Sequence, residues 1–166
     1  MAARLQLSVI GAGECDTALE RLAFETGREV AARGAVLVCG GRGGVMAAAC
    51  AGARAAGGLT VGILPGADRR ESPPNPDVEL ALFTGLGQAR NLPVVLSGEA
   101  VVAIGGGWGT LSEIALALKH RRPVVRLGSW RLEPPDGRDE PLLRDAATPG
   151  EAVALACRLA GVEGPR

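Results

Sequence analysis

Tyrosine is absent from the 166-residue chain, phenylalanine and tryptophan occur twice each, and Lys119 is the only lysine among 18 basic residues. Single-stranded nucleic-acid binders need stacking aromatics along a basic groove, and this composition does not supply them. The basic side chains are balanced by 18 acidic ones, so the net charge is zero and no electrostatic footprint for nucleic acid is present. His120 is the only histidine; it lies beside Arg121 and Arg122, is expected at a solvated helix end, and supplies no metal constellation. Cys15, Cys39, Cys50 and Cys157 form no CxxC pair, which points to free thiols in a reducing cytoplasm. Met1 to Ile10 has one arginine and too short an apolar stretch for a signal peptide, and no run of membrane-spanning length is free of charge and glycine. A soluble, cytoplasmic protein without a membrane partner is expected.

What is present is 47% hydrophobic residues, carried mostly by Ala, Val and Leu, and 25 glycines. A chain of this length is expected to form one domain, 1–166, burying roughly 70% of its unfolded surface. Short apolar runs recur at Leu5 to Ile10, Val36 to Cys39, Thr60 to Leu64, Val78 to Phe83, Val101 to Ile104 and Val124 to Leu127. Between them lie segments of helical length at about Thr17 to Arg33, Gly44 to Ala56, within Leu86 to Ser97, and Leu111 to Arg121. This alternation predicts an α/β fold with an open parallel sheet of about six strands and helices on both faces. Arg69 to Asp77 and Ser129 to Ala147 contain proline and read as irregular excursions. A last helix opens at Thr148-Pro149-Gly150-Glu151 with the pattern of a capping box, and Gly161 stops it.

Four strand ends carry glycine: Gly11-Ala12-Gly13, Gly40-Gly41-Arg42-Gly43-Gly44, Gly85-Leu86-Gly87 and Gly105-Gly106-Gly107-Trp108-Gly109-Thr110. In an open parallel sheet these loops share the carboxyl edge, where ligands bind near the switch in strand order. Backbone N–H groups freed by glycine, together with the following helix N-terminus, suit a phosphate. The candidate ligand residues are Gly11, Gly13, Gly40, Gly41, Gly43, Gly44, Met46, Gly106, Gly107, Gly109 and Thr110. Taken singly the loops also fit plain tight turns, and none completes the dinucleotide fingerprint or the GxxxxGK[ST] phosphate loop, which disfavours a kinase or NTPase. Three consecutive glycines at Gly105 exceed what a turn requires.

Arg90 follows the fourth strand and Glu113 opens the helix after the fifth, so neighbouring strands would bring a cation and a carboxylate over one edge. Thr110-Leu111-Ser112-Glu113 also has the spacing of a capping box, in which Glu113 would only bind backbone. Trp108 could stack on a base; packing beneath the glycine loop or at a subunit contact is the expected role. A pyridoxal-phosphate decarboxylase would depend on Lys119, deep in a predicted helix and far from the glycine loops, and is rejected.

Together, Gly40-Gly41-Arg42-Gly43-Gly44-Val45-Met46, Ala56-Gly57-Gly58, Val61-Gly62-Ile63-Leu64-Pro65, Thr84-Gly85, Ala89-Arg90-Asn91 and Gly106-Gly107-Trp108-Gly109-Thr110-Leu111-Ser112-Glu113-Ile114 form a pattern over roughly residues 5 to 127. It resembles the Rossmann-like superfamily of the Lonely Guy cytokinin phosphoribohydrolases, proteins often mislabelled lysine decarboxylases, and the molybdenum cofactor carrier protein. The carrier branch is the most similar. The hydrolases show Pro-Gly-Gly-x-Gly-Thr-x-x-Glu, commonly with adjacent glutamates, and an upstream basic pair. Gly105 stands here for the proline, Ser112 for the first glutamate and Asn91 for the second basic residue, and these departures count against hydrolase activity. The resemblance implies a carrier of a phosphorylated nucleotide-like or pterin-like small molecule, with a bound nucleotide or the molybdenum cofactor as the cofactor candidates and no protein-bound metal. The alternative is a nucleoside 5'-monophosphate phosphoribohydrolase in which Arg90 and Glu113, matching the family's catalytic arginine and signature glutamate, are catalytic. A homo-oligomer, dimer or tetramer, is implied as well.

Overall fold

A computed structural model describes residues 3–161. Seven strands form one sheet: β1 (Gln6–Gly11), β2 (Val36–Cys39), β3 (Thr60–Leu64), β4 (Leu80–Phe83), β5 (Ala100–Ile104), β6 (Val124–Leu127) and β7 (Leu143–Asp145). Their order is β4-β3-β2-β1-β5-β6-β7, and every neighbouring pair is parallel. The helices are α1 (Thr17–Ala32), α2 (Val45–Ala55), α3 (Asn91–Ser97), α4 (Trp108–Lys119) and α5 (Pro149–Leu159), with a 3-10 turn at Gly87–Arg90 leading into α3.

The central strands are buried throughout, Val36–Cys39 and Ala100–Ile104 in every position, because helices cover both faces and leave no polar side to alternate with. Leu7, Val9, Val102 and Ile104 face α1, α2 and α5, whereas Ile10, Val101 and Ala103 face α3 and α4. Ser8 points into the second layer, where its hydroxyl donates to the Val94 carbonyl at 2.6 Å. Helices α1 and α2 approach so closely that a methyl group at Gly27 would strike the Ala49 carbonyl, and one at Gly52 the Phe24 carbonyl.

Three expectations are corrected. The sheet has seven strands, since Leu143–Asp145 pairs with β6 inside the segment expected to be irregular. Val78 lies outside β4, where it packs against Gly62. Helix α4 begins at Trp108 rather than Leu111, with Gly107 in extended conformation as its N-cap. The predicted start of α5 is found: Thr148 Oγ1 accepts the Glu151 N–H at 3.2 Å, and the Glu151 carboxylate accepts the Ala147 N–H at 2.8 Å. Among the described residues no helix is long and apolar enough to cross a membrane.

Candidate functional site

The chain leaves β1 for β2, β3 and β4 on one side and returns through β5 on the other, so strand order reverses between β1 and β5. Their carboxyl ends, Gly11 and Ile104, are register partners, and a crevice opens above them. A methyl group at Gly11 would lie 2.5 Å from both the Ile104 carbonyl and the Val45 side chain, so glycine lets these elements close up. The crevice holds a cavity of about 200 Å³ lined by Gly11, Gly13, Met46, Gln88, Arg90, Asn91, Gly107, Gly109, Thr110 and Glu113.

Eight of the candidate residues therefore converge. Gly40, Gly41, Gly43, Gly44 and Gly106 are not on the cavity wall; they lie behind or beside it. Gly44, the N-cap of α2, backs onto the first loop, since a methyl group there would strike the Ala12 carbonyl, which already accepts the Val45 N–H at 3.0 Å. Gly40 makes room for Arg90: an added methyl group would collide with the guanidinium and lie 2.9 Å from the Met46 sulfur. Gly106 has φ +118, and its missing side chain leaves space for Thr110.

The first three N–H groups of α4, from Trp108, Gly109 and Thr110, precede the first intrahelical bond, Leu111 N–H to the Gly107 carbonyl at 3.0 Å. Among the described residues no side chain caps this end. Gly107, Gly109 and Thr110 face the cavity, so unpartnered donors and the positive end of the helix dipole meet there, an arrangement that attracts an anion. Glu113 is in the second turn of α4, beyond capping range, and the capping-box reading is overturned. The loop is braced from behind by Ser129 Oγ, which donates to the Gly105 carbonyl at 2.6 Å, and Trp130 Nε1, which donates to the Gly107 carbonyl at 3.1 Å.

Arg90 is half-buried at the end of the 3-10 turn, and Glu113 is 8% exposed. Among the described residues neither side chain makes a hydrogen bond or an ion pair. Burial pushes the Glu113 carboxyl up to about 7, with Arg90 opposing the rise. Burial also lowers the Arg90 pKa, while Glu113 and Cys39 oppose it; a guanidinium stays charged regardless. Beneath Gly40, Cys39 and Cys50 are buried thiols 3.5 Å apart, and Gly41 N–H donates to Cys39 Sγ at 3.2 Å. These bonds lower the Cys39 pKa, led by the contact from Cys50, while the same contact and burial raise that of Cys50. Sequence reasoning missed Gln88 as a lining residue and treated Asn91 only as a replaced base; Asn91 is buried at the cavity wall. Trp108 is 78% exposed, so it does not pack beneath the glycine loop.

The parallel sheet, its switch point and the glycine-lined crevice define a Rossmann-like α/β protein. Residues 4–153 match the model of the SLOG cluster4 family, and the chain belongs to that family. An uncharacterized protein of Archaeoglobus fulgidus is 46% identical over 123 residues, 74% of this chain and 80% of the relative. A cytokinin riboside 5'-monophosphate phosphoribohydrolase of Mycobacterium tuberculosis is 32% identical over 119 residues, 68% of this chain and 64% of the relative. Among solved structures, the molybdenum cofactor binding protein of Rippkaea orientalis superposes with a TM-score of 0.85 at 36% identity, over 96% of this chain and 99% of its own. The molybdenum cofactor carrier protein of Chlamydomonas reinhardtii gives 0.83 at 35% identity, with the same coverage.

Proposed function

We propose that this protein binds and carries a phosphorylated small molecule of nucleotide-like or pterin-like chemistry, with the phosphate on the N–H groups of Gly107 to Thr110 and Arg90 as counter-charge. The observation that carries the reading is the pairing of uncapped helix donors with an arginine that has no hydrogen-bond partner among the described residues, at the rim of one cavity. A charge-assisted contact to phosphate would satisfy both. The named ligand of the Rippkaea and Chlamydomonas proteins, the molybdenum cofactor, makes a phosphorylated pterin the leading cargo. Among the described residues no group of three or more His, Cys, Asp or Glu could hold a metal ion.

The second reading, an N-glycosidase acting on nucleoside 5'-monophosphates, is favoured by one observation: Glu113 is a buried carboxyl with a pKa near 7, suited to proton transfer, beside a cation. Glu113 would position or deprotonate water as Arg90 held the phosphate or the departing base. Incubation with a panel of nucleoside 5'-monophosphates separates the two. The carrier reading expects binding by calorimetry with little or no free base. Substantial base release in wild type, abolished in Glu113→Gln, overturns it. Self-association belongs to the proposal too, supported by Leu80, Leu82 and Leu86, each about half exposed at the β4 edge.

A further inference from the structure

The only two tryptophans of the chain stand together on the outer flank of the Gly105–Gly107 loop, ring centroids 5.2 Å apart and tilted by 37°. Trp130 is the fixed member. It packs against the core layer under α3 and α4, its indole N–H holds the Gly107 carbonyl, and its own carbonyl accepts from Arg126 Nη1 at 3.1 Å. Arg126 in turn pairs with Asp145 of β7 at 2.8 Å. Trp108 lies against this support with 78% of its surface in water. So large an exposed apolar surface on a braced mount is suited to receive another flat ring.

We propose that Trp108, backed by Trp130, is a stacking shelf for a fused, two-ring heteroaromatic system of purine or pterin type carried by the phosphorylated ligand. The inference rests on the carrier reading, and it adds where the ring goes. Trp108 is the first residue of α4 and lies between Gly107 and Gly109 of the cavity wall without itself lining that wall, so a ligand with its phosphate on the free N–H groups reaches the indole by extending outward over the helix end. The cavity at this helix end also holds Glu113, 8% exposed and without a hydrogen-bond partner among the described residues. Trp108 and Glu113 are five positions apart, which places them roughly 140° apart around the helix. A ring stacked on Trp108 is thereby held on the opposite flank from the carboxyl, which suits retention of the ligand rather than cleavage of the bond to its ring.

Because the chain has no tyrosine and both tryptophans are in the shelf, intrinsic fluorescence reports on this feature alone. The full chain is titrated with ribose 5-phosphate and with guanosine 5'-monophosphate, following emission and, in parallel, heat. The proposal expects both to bind, only the nucleotide to quench, and Trp108→Ala to weaken the nucleotide about tenfold with ribose 5-phosphate unchanged. Trp108→Phe should retain most of the nucleotide affinity, which distinguishes stacking from a fold defect. Equal affinity for the two ligands, or nucleotide binding indifferent to Trp108→Ala, overturns the shelf while leaving the anion site intact. Failure of ribose 5-phosphate and nucleotide alike removes the carrier reading and the shelf with it. Emission that shifts with protein concentration in the absence of ligand assigns Trp108 to a contact between copies of the chain instead.

Discussion

Replacing Glu113 by Gln changes the pH dependence of stability in a direction that follows from burial. The carboxyl has an ordinary value of 4.5 and is pushed up to about 7 in the fold. Between those values the folded protein keeps a proton that the unfolded chain has released, so stability falls as pH rises through the window. The contribution is complete below about 4.5 and gone above about 7. At about 1.4 kcal/mol per pH unit the window is worth roughly 3 kcal/mol, and with Glu113 only 8% exposed, solvent screening removes little of it. Gln mimics the protonated acid and cannot titrate. Wild type and Glu113→Gln should therefore melt together near pH 5, and the variant should melt about 6–12 °C higher near pH 8, at 2–4 °C per kcal/mol for a domain of this size. Thermal melts followed by circular dichroism across that range measure the difference. Parallel curves for the two proteins would show that Glu113 ionises normally and that the cavity is wetter than its geometry implies.

Gly40→Ala should displace the Arg90 guanidinium while leaving the melting temperature nearly unchanged, because the colliding atoms are the end of a flexible side chain. Calorimetry with ribose 5-phosphate should show the variant, like Arg90→Ala, binding at least about tenfold more weakly, a loss of about 1.4 kcal/mol; unchanged affinity in both would make Arg90 a surface cation. Thr148→Ala removes the oxygen that accepts the Glu151 N–H and should cost about 1 kcal/mol in urea unfolding, against no change if α5 is held by packing alone. A disulfide reagent added to native protein should modify the half-buried Cys15 first, with Cys39 and Cys50 reacting only on unfolding; early loss of all four thiols would contradict their burial.

Strand runs such as Val36–Cys39 and Ala100–Ile104 were legible because burial on both faces leaves an unbroken apolar signature. Only Leu143 of the three β7 residues is buried, and the strand is placed by parallel pairing with β6, accompanied by the Arg126–Asp145 pair, long-range contacts that no local pattern announces. The start of α4 was misplaced for a related reason. Thr110 and Glu113 have cap spacing, but Ser129 and Trp130 fix the glycine loop from about twenty residues downstream, and the helix begins where that loop releases it, at Gly107. At the site, the glycine-ended strands could be read, but not the route by which Arg90 meets Glu113: β4 and β5, expected as neighbours, are separated by β3, β2 and β1, and the 3-10 turn and α3 carry the chain back to β1, where Ser8 bonds Val94. Gln88 and Asn91 could not be read either, because the 3-10 turn that aims them at the cavity has no sequence periodicity of its own.

Native mass spectrometry of gently purified protein tests the central claim most directly. The account predicts a co-purifying phosphorylated small molecule on wild type, with occupancy sharply reduced in Arg90→Ala. A bound species that lacks phosphate, or occupancy that survives loss of Arg90, would contradict it.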